Sequence, residues 1–97
     1  MAEIRFEWDE EKSRESRAKH GVSFEEAFTV FFDEEALLIP DAEHSSTEER
    51  FIILGMSSTL RVLVVCHCYR RSSEVIRIIS ARKAFRVERR QYFSRWH

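Results

Sequence analysis

Arg61, His67, Arg77 and Arg82, all in the second half of the chain, are side chains of the types that could act on a phosphodiester. A guanidinium presents several N–H donors in a rigid fork that matches phosphate oxygens, and an imidazole can accept or release a proton near neutrality. Cleavage of RNA by its own 2′-hydroxyl needs a group to take that proton, a group to protonate the leaving oxygen, and cations against the charge that grows on phosphate. It requires no metal in principle. His67 could serve as acid or base, Arg61, Arg77 and Arg82 could hold phosphate, and Tyr69, Lys83, Arg86 and Arg89 are candidates to line the path of an RNA strand. Plainer readings compete. Arg77 interrupts the apolar run Val75-Ile76-Arg77-Ile78-Ile79, where a guanidinium either pairs with Glu88 or an N-terminal acid or projects into a groove to meet an anion. Glu88 is an alternative base, though its place on a helix favours service as an arginine's partner.

Whether these groups meet depends on the pairing of the last two strands. An odd number of residues in the turn through residues 70–73 would set His67 and Arg77 on one side of a sheet, converging with Arg61 and Tyr69 and edged by Arg82 and Lys83. A four-residue turn would set them on opposite sides, and the residues alone leave both registers open.

Charge is sorted along the chain: residues 1–50 hold 15 of the 17 acids, while residues 51–97 hold 10 of the 16 Lys and Arg. The second half is therefore strongly cationic behind a formal net charge of −1. Such a field attracts phosphate at long range, although basic residues also serve as solvated faces or neutralise acids elsewhere in the fold. Ninety-seven residues, 43% of them apolar, suit one globular domain spanning 1–97. No run approaches the roughly 18 apolar residues of a membrane span, and no signal-like N-terminal segment is present, so a soluble cytoplasmic protein is expected. Cys66 and Cys68 lie two apart, a strand spacing that points both thiols to one face and disfavours their pairing with each other. No second cysteine pair completes a zinc site, so no metal or other cofactor is expected.

The elements that must position these groups read as follows. Ile4, Phe6 and Trp8 alternate as one side of a first strand over residues 3–8. Asp9 caps a polar helix over residues 10–20 that Gly21 closes; His20 at its end suits the helix dipole better than catalysis. Ser23-Phe24-Glu25-Glu26 forms a capping box, with Val22 and Ala27 as its hydrophobic staple, and Phe24, Ala27, Phe28, Phe31 and Phe32 follow as a core-facing stripe. Residues 36–39 make a short strand ended by Pro40, followed by a polar loop whose His44 is too loosely set to be a ligand. Runs 51–54, 60–68 and 75–79 imply an antiparallel meander, the middle run being apolar on both faces and hence central. Residues 82–96, with Ala84, Phe85, Tyr92, Phe93 and Trp96, read as a closing cationic amphipathic helix.

Several separated motifs carry a resemblance: Phe6-Glu7-Trp8-Asp9-Glu10-Glu11-Lys12, Lys19-His20-Gly21-Val22-Ser23-Phe24-Glu25-Glu26-Ala27, Glu49-Arg50-Phe51, and Arg77-Ile78-Ile79-Ser80-Ala81-Arg82-Lys83-Ala84 with Glu88-Arg89. Together they span nearly the whole chain in order, and the sequence resembles the BrnT family of bacterial toxins. The resemblance implies an α+β, RelE-like fold of order β-α-α-β-β-β-β-α on an antiparallel sheet. It also implies a ribonuclease toxin of a type II toxin–antitoxin system, with RNA as substrate. Its neutralising partner would be a BrnA-like ribbon-helix-helix antitoxin, through which alone operator DNA would be reached. The sequence departs from the family pattern at Ser16, where Asn is frequent, and in the Arg70-Arg71-Ser72-Ser73 turn, which lacks glycine. Two rivals to an enzyme stand: a non-catalytic nucleic-acid-binding corepressor, and a protein-interaction domain whose basic helix docks an acidic partner.

Overall fold

The computed structural model describes residues 3–41, 49–71 and 74–94; His44, Trp96 and the Ser72-Ser73 pair lie outside them. In chain order come β1 (Arg5–Glu7), α1 (Glu10–His20), α2 (Phe24–Thr29), β2 (Leu37–Pro40), β3 (Arg50–Met56), β4 (Val62–Arg70), β5 (Val75–Lys83) and α3 (Arg86–Ser94). The architecture is α+β, with the five strands in one sheet of order β1-β5-β4-β3-β2. β2 to β5 form the antiparallel meander, with β4 at its centre. β1, however, joins the outer edge of β5 in parallel, so the sheet is mixed rather than antiparallel. Alternation marks a strand and its buried side but does not name a neighbour. Here the neighbour is chosen by packing: Phe6 meets Phe28 and Phe31 edge-on at 4.6 and 5.1 Å, and Glu7 faces Arg77 across the ladder.

Local signals set the helix ends. The Asp9 carboxylate accepts from the amides of Glu11 and Lys12 at 2.8 and 3.2 Å, and Gly21 closes α1 in the left-handed region at φ 72°. α1 buries only Ser13 and Ser16, and both make tertiary hydrogen bonds. The Ser13 hydroxyl accepts from the Phe24 amide at 2.9 Å, and Ser16 donates to the Ala81 carbonyl at 3.2 Å. Because β1 ends opposite Arg77, the outer edge of β5 beyond it is left to α1, and Ser16 satisfies a carbonyl there. Ser23 caps α2 by accepting from the Glu26 amide at 3.1 Å. α2 then tightens into a 3-10 turn over Val30–Phe32. That turn advances by roughly 120° per residue, which carries Val30 inward and leaves Phe32 67% exposed, so the phenylalanine stripe leaves the core at its last member.

Each face of the sheet has its own apolar cluster. Under α1 and α2, Ile53, Leu63, Val65, Ile78 and Ala81 pack against Val22, Phe24, Ala27 and Val30. On the other side Leu54, Val62 and Val64 pack against Tyr92 of α3. The Tyr92 hydroxyl donates to Asp33 at 2.5 Å, on the same carboxylate oxygen that accepts from the Met56 amide at 2.8 Å, which ties α3 to the body. Arg82 and Lys83, expected at the start of the last helix, are instead the final residues of β5. The ladder runs on to Lys83 opposite Leu63, the Ala84 amide bonds the Val62 carbonyl at 2.9 Å, and only then does the helix begin.

Candidate active site

Pairing of Arg70 with Val75 leaves four residues between β4 and β5, and His67 faces Ile78 while Arg77 faces Cys68. His67 and Arg77 therefore point to opposite faces. A shift in register opposite Cys66 and His67 makes Ile79 an extra residue on β5, since Cys66 pairs with Ser80 and His67 with Ile78. In a regular strand residues 77 and 82, five apart, would also point to opposite faces. The bulge removes one step of alternation and brings Arg77 onto the side of Arg82. The group of Arg61, His67, Tyr69 and Arg77 around one hollow is thus not formed. Arg61, His67 and Tyr69 belong to the face under α1 and α2, and Arg77 and Arg82 to the face that α3 partly covers.

On the first face the candidate groups are engaged in the scaffold. His67 is fully buried, edge-on to Phe31 at 4.8 Å and to Tyr69 at 5.4 Å and stacked against Phe51 at 6.2 Å. Its Nε2 has no partner among the described residues, and its Nδ1 has only the Val65 carbonyl, at 3.4 Å. Burial pushes this imidazole down to about 4, so it is neutral at physiological pH and closed to solvent. Arg61 clasps Glu26 with two donors, Nε at 3.0 Å to one oxygen and Nη2 to the other, and also donates to the Gly21 carbonyl at 2.8 Å. The Arg61 guanidinium, with the Thr59 and Ser57 hydroxyls, holds the Glu26 carboxyl down at about 2.

The opposite face carries Arg50, Arg70, Arg77 and Arg82, of which Arg77 and Arg82 keep about a third of the side chain exposed. Arg50 of β3, Cys68 of β4, Arg77 of β5 and Glu7 of β1 lie in one row across the sheet. Glu7 accepts from Arg77 at 3.0 Å and has Arg70 at 4.0 Å. Arg82 donates through Nη1 and Nη2 to the two oxygens of Glu88 at 2.8 and 2.9 Å, which holds that carboxyl below its usual range. Glu88 also accepts from the Phe85 amide at 2.7 Å, the return half of a helix-capping box, so one carboxylate starts α3 and aims Arg82. The Phe85 ring lies 4.1 Å from the Arg82 guanidinium carbon. None of the hydrogen bonds that Arg82 makes among the described residues uses Nε, so its side fork, Nε–H with the second Nη2–H, is available to an anion.

A hollow of about 400 Å³ opens on this face, lined by His20, Asp41, Arg50, Cys66, Ser80 and Arg82 among others. His20 reaches it because α1 runs along the edge that the short β1 leaves uncovered. Cys66 and Cys68 share this face, as their spacing implies, and both are thiols; burial and the nearby Asp41 carboxylate push the Cys66 thiol up, away from a reactive thiolate. Lys83 and Arg89 fall outside this hollow and line a different one, while Arg86 is exposed in the first turn of α3. Sequence reasoning passed over Arg50 and His20 as site residues. Arg50 was legible in part, since it continues the alternation that sets Ile52 and Leu54 on the α3 face, but His20 was not, because only the truncated β1 edge brings it round. Among the described residues no group of three or more His, Cys, Asp or Glu could hold a metal ion, and no helix is long and apolar enough to cross a membrane.

A small α+β domain with phosphate-matching cations gathered over one open sheet face is a design suited to nucleic acid. The family profile for "Ribonuclease toxin, BrnT, of type II toxin-antitoxin system" matches residues 8–88, and the chain belongs to this BrnT family. Its structure is similar to that of the Brucella abortus ribonuclease toxin BrnT, solved at 1.1 Å resolution, with a TM-score of 0.66 and 27% sequence identity over 86% of this chain and 99% of that one. No curated protein matches the chain.

Proposed function

We propose that this chain is an endoribonuclease toxin of a type II toxin–antitoxin system, with a RelE-like fold, that cuts RNA at the open-face hollow and thereby arrests growth. The observation that carries the reading is the pair Arg50 and Arg82 at the walls of a hollow that His20 also lines. Family membership supplies the reaction class. The Arg82 side fork binds two non-bridging phosphate oxygens while Glu88 holds its end fork, and Arg50 adds positive charge from β3, on the other side of β4. An imidazole is the side chain suited to moving a proton near neutrality, which assigns proton transfer to His20. The 2′-hydroxyl loses its proton, its oxygen attacks phosphorus, and the 5′-oxygen leaves protonated, giving a 2′,3′-cyclic phosphate without a metal ion. Arg77, with Arg70 and the exposed Arg86, extends the cationic track for neighbouring phosphates. Glu88, ionised and paired, is a positioning residue rather than the base. His67, Tyr69 and Arg61 support the sheet that carries this site. The partner is a BrnA-like ribbon-helix-helix antitoxin, which brings the toxin to operator DNA, and the complex works in the cytoplasm.

The test is incubation of antitoxin-free protein with RNA in excess EDTA, followed by mapping of the new ends. Cyclic-phosphate 3′ ends that disappear in His20→Ala and Arg82→Ala are expected. RNA that is bound but stays intact would instead mark a binding module, and cleavage that survives His20→Ala would move the proton-transfer role elsewhere.

A further inference from the structure

The turn between β3 and β4 contains a residue that its geometry does not favour. The Ser57 amide bonds the Arg61 carbonyl at 2.8 Å and the Leu60 amide bonds the Ser57 carbonyl at 2.9 Å, which makes a three-residue hairpin loop whose last position is left-handed. That position suits Gly or Asn. Here it is Leu60, at φ 66° and 79% exposed, an apolar side chain that buries little area and sits on strained backbone. Glycine would suit this backbone better, so the local conformation gives no reason for a leucine here.

Leu60 lines a hollow of about 290 Å³ together with Arg61, Val62, Lys83, Arg89 and Phe93, from the start of β4, the end of β5 and α3. This hollow shares no lining residue with the proposed catalytic one. Lys83 and Arg89 are exposed and make no ion pair among the described residues, whereas Arg61, Arg77 and Arg82 each have a carboxylate. The groove therefore combines apolar surface from Leu60, Val62, Ala84 and Phe93 with two cations that make no ion pair among the described residues. Single-stranded RNA favours several exposed aromatic platforms for its bases, whereas the one ring here, Phe93, packs edge-on against Tyr92; an acidic helix with one apolar face complements both features.

We propose that this groove docks an acidic, apolar-faced segment of the protein antitoxin, with Leu60 as the anchor and Lys83 and Arg89 as its charge partners. The inference rests on the toxin–antitoxin reading and adds the place of contact, separate from the RNA hollow. Titration of the toxin with the BrnA-like antitoxin proposed above tests the idea. Leu60→Gly should weaken binding at least tenfold while the unfolding midpoint stays the same or rises, a sign that a merely structural leucine would not give. Lys83→Glu with Arg89→Glu should weaken binding by a similar factor and flatten its salt dependence. Leu60→Gly affinity within twofold of wild type would overturn the proposal alone. So would loss of RNA affinity in Leu60→Gly with antitoxin binding unchanged, because the groove would then be an RNA track. Failure of the wild-type toxin to bind that antitoxin at all would sink the toxin–antitoxin reading and this proposal with it.

Discussion

Arginine is used in opposite ways on the two faces of this sheet. Under α1 and α2, Arg61 is clasped by Glu26 and the Gly21 carbonyl, and His67, further along on the same face, is sealed among Phe31, Phe51 and Tyr69. On the other face Arg77 and Arg82 are also paired with carboxylates, all three arginines keep about a third of the side chain exposed, and Arg82 has donors left over. Pairing alone therefore does not separate scaffold from site. The separation lies in what surrounds the pair. Glu26 is only 12% exposed and is held by two hydroxyls as well as Arg61, so that network joins α2 to the β3–β4 turn. Glu88 takes only one edge of Arg82, whose Nε makes no hydrogen bond among the described residues, and Arg82 lines the hollow of this face.

The sharpest way to break this contrast is to remove one arginine from each side. Arg82→Ala should reduce RNA cleavage roughly 100-fold or more, the scale of losing one preorganised donor to a developing oxyanion. Its unfolding midpoint should move by only a few degrees, because a partly exposed ion pair contributes at most about 1 kcal/mol. Loss of stability in proportion to activity would move Arg82 into the scaffold.

Glu26→Ala should show the reverse pattern. It deprives Arg61, Ser57 and Thr59 of one shared acceptor, and a loss of roughly 2–3 kcal/mol in denaturant unfolding is expected, with cleavage by the folded fraction within twofold of wild type. A large fall in kcat/KM without destabilisation would return Arg61 and its partner to the chemistry.

His67 sharpens the comparison through pH. Its folded value of about 4 lies below the ordinary 6.5, so between these values the unfolded chain binds a proton that the folded chain does not. Stability from this group is complete above pH 6.5 and is lost as pH falls toward 4, at up to about 1.4 kcal/mol per pH unit. His67→Phe should flatten that limb of the stability curve while leaving cleavage at neutral pH unchanged. Glu26 adds a second, lower limb, present above about 4.5 and lost as pH falls toward 2. A cleavage profile that follows His67 instead would contradict its placement on the closed face.

The smallest expected effect belongs to the boundary between the faces. Ser16→Ala removes the donor to the Ala81 carbonyl at the β5 edge and should cost about 1 kcal/mol in thermal unfolding, with a modest change in cleavage through His20 on the same helix. An unchanged stability would mean that water replaces the hydroxyl at that edge.

Much of the scaffold was legible in the residues themselves. Asp9, Gly21 and Ser23 mark helix ends because capping is decided within four residues, and the two-sided apolar run through Val62, Val64 and Val65 marks β4 as central because side chains alternate with a period of two. Cationic character in the second half and family membership were equally open to reading. Which arginines meet was not. That was decided by the Arg70–Val75 pairing and by the single extra residue at Ile79, both of which depend on hydrogen bonds between strands rather than on any local preference. The parallel docking of β1 and its early end, which expose an edge to α1 and bring His20 to the hollow, likewise exist only once the sheet is assembled. Local chemistry therefore specified which groups the chain owns, and long-range register specified the face on which each of them works.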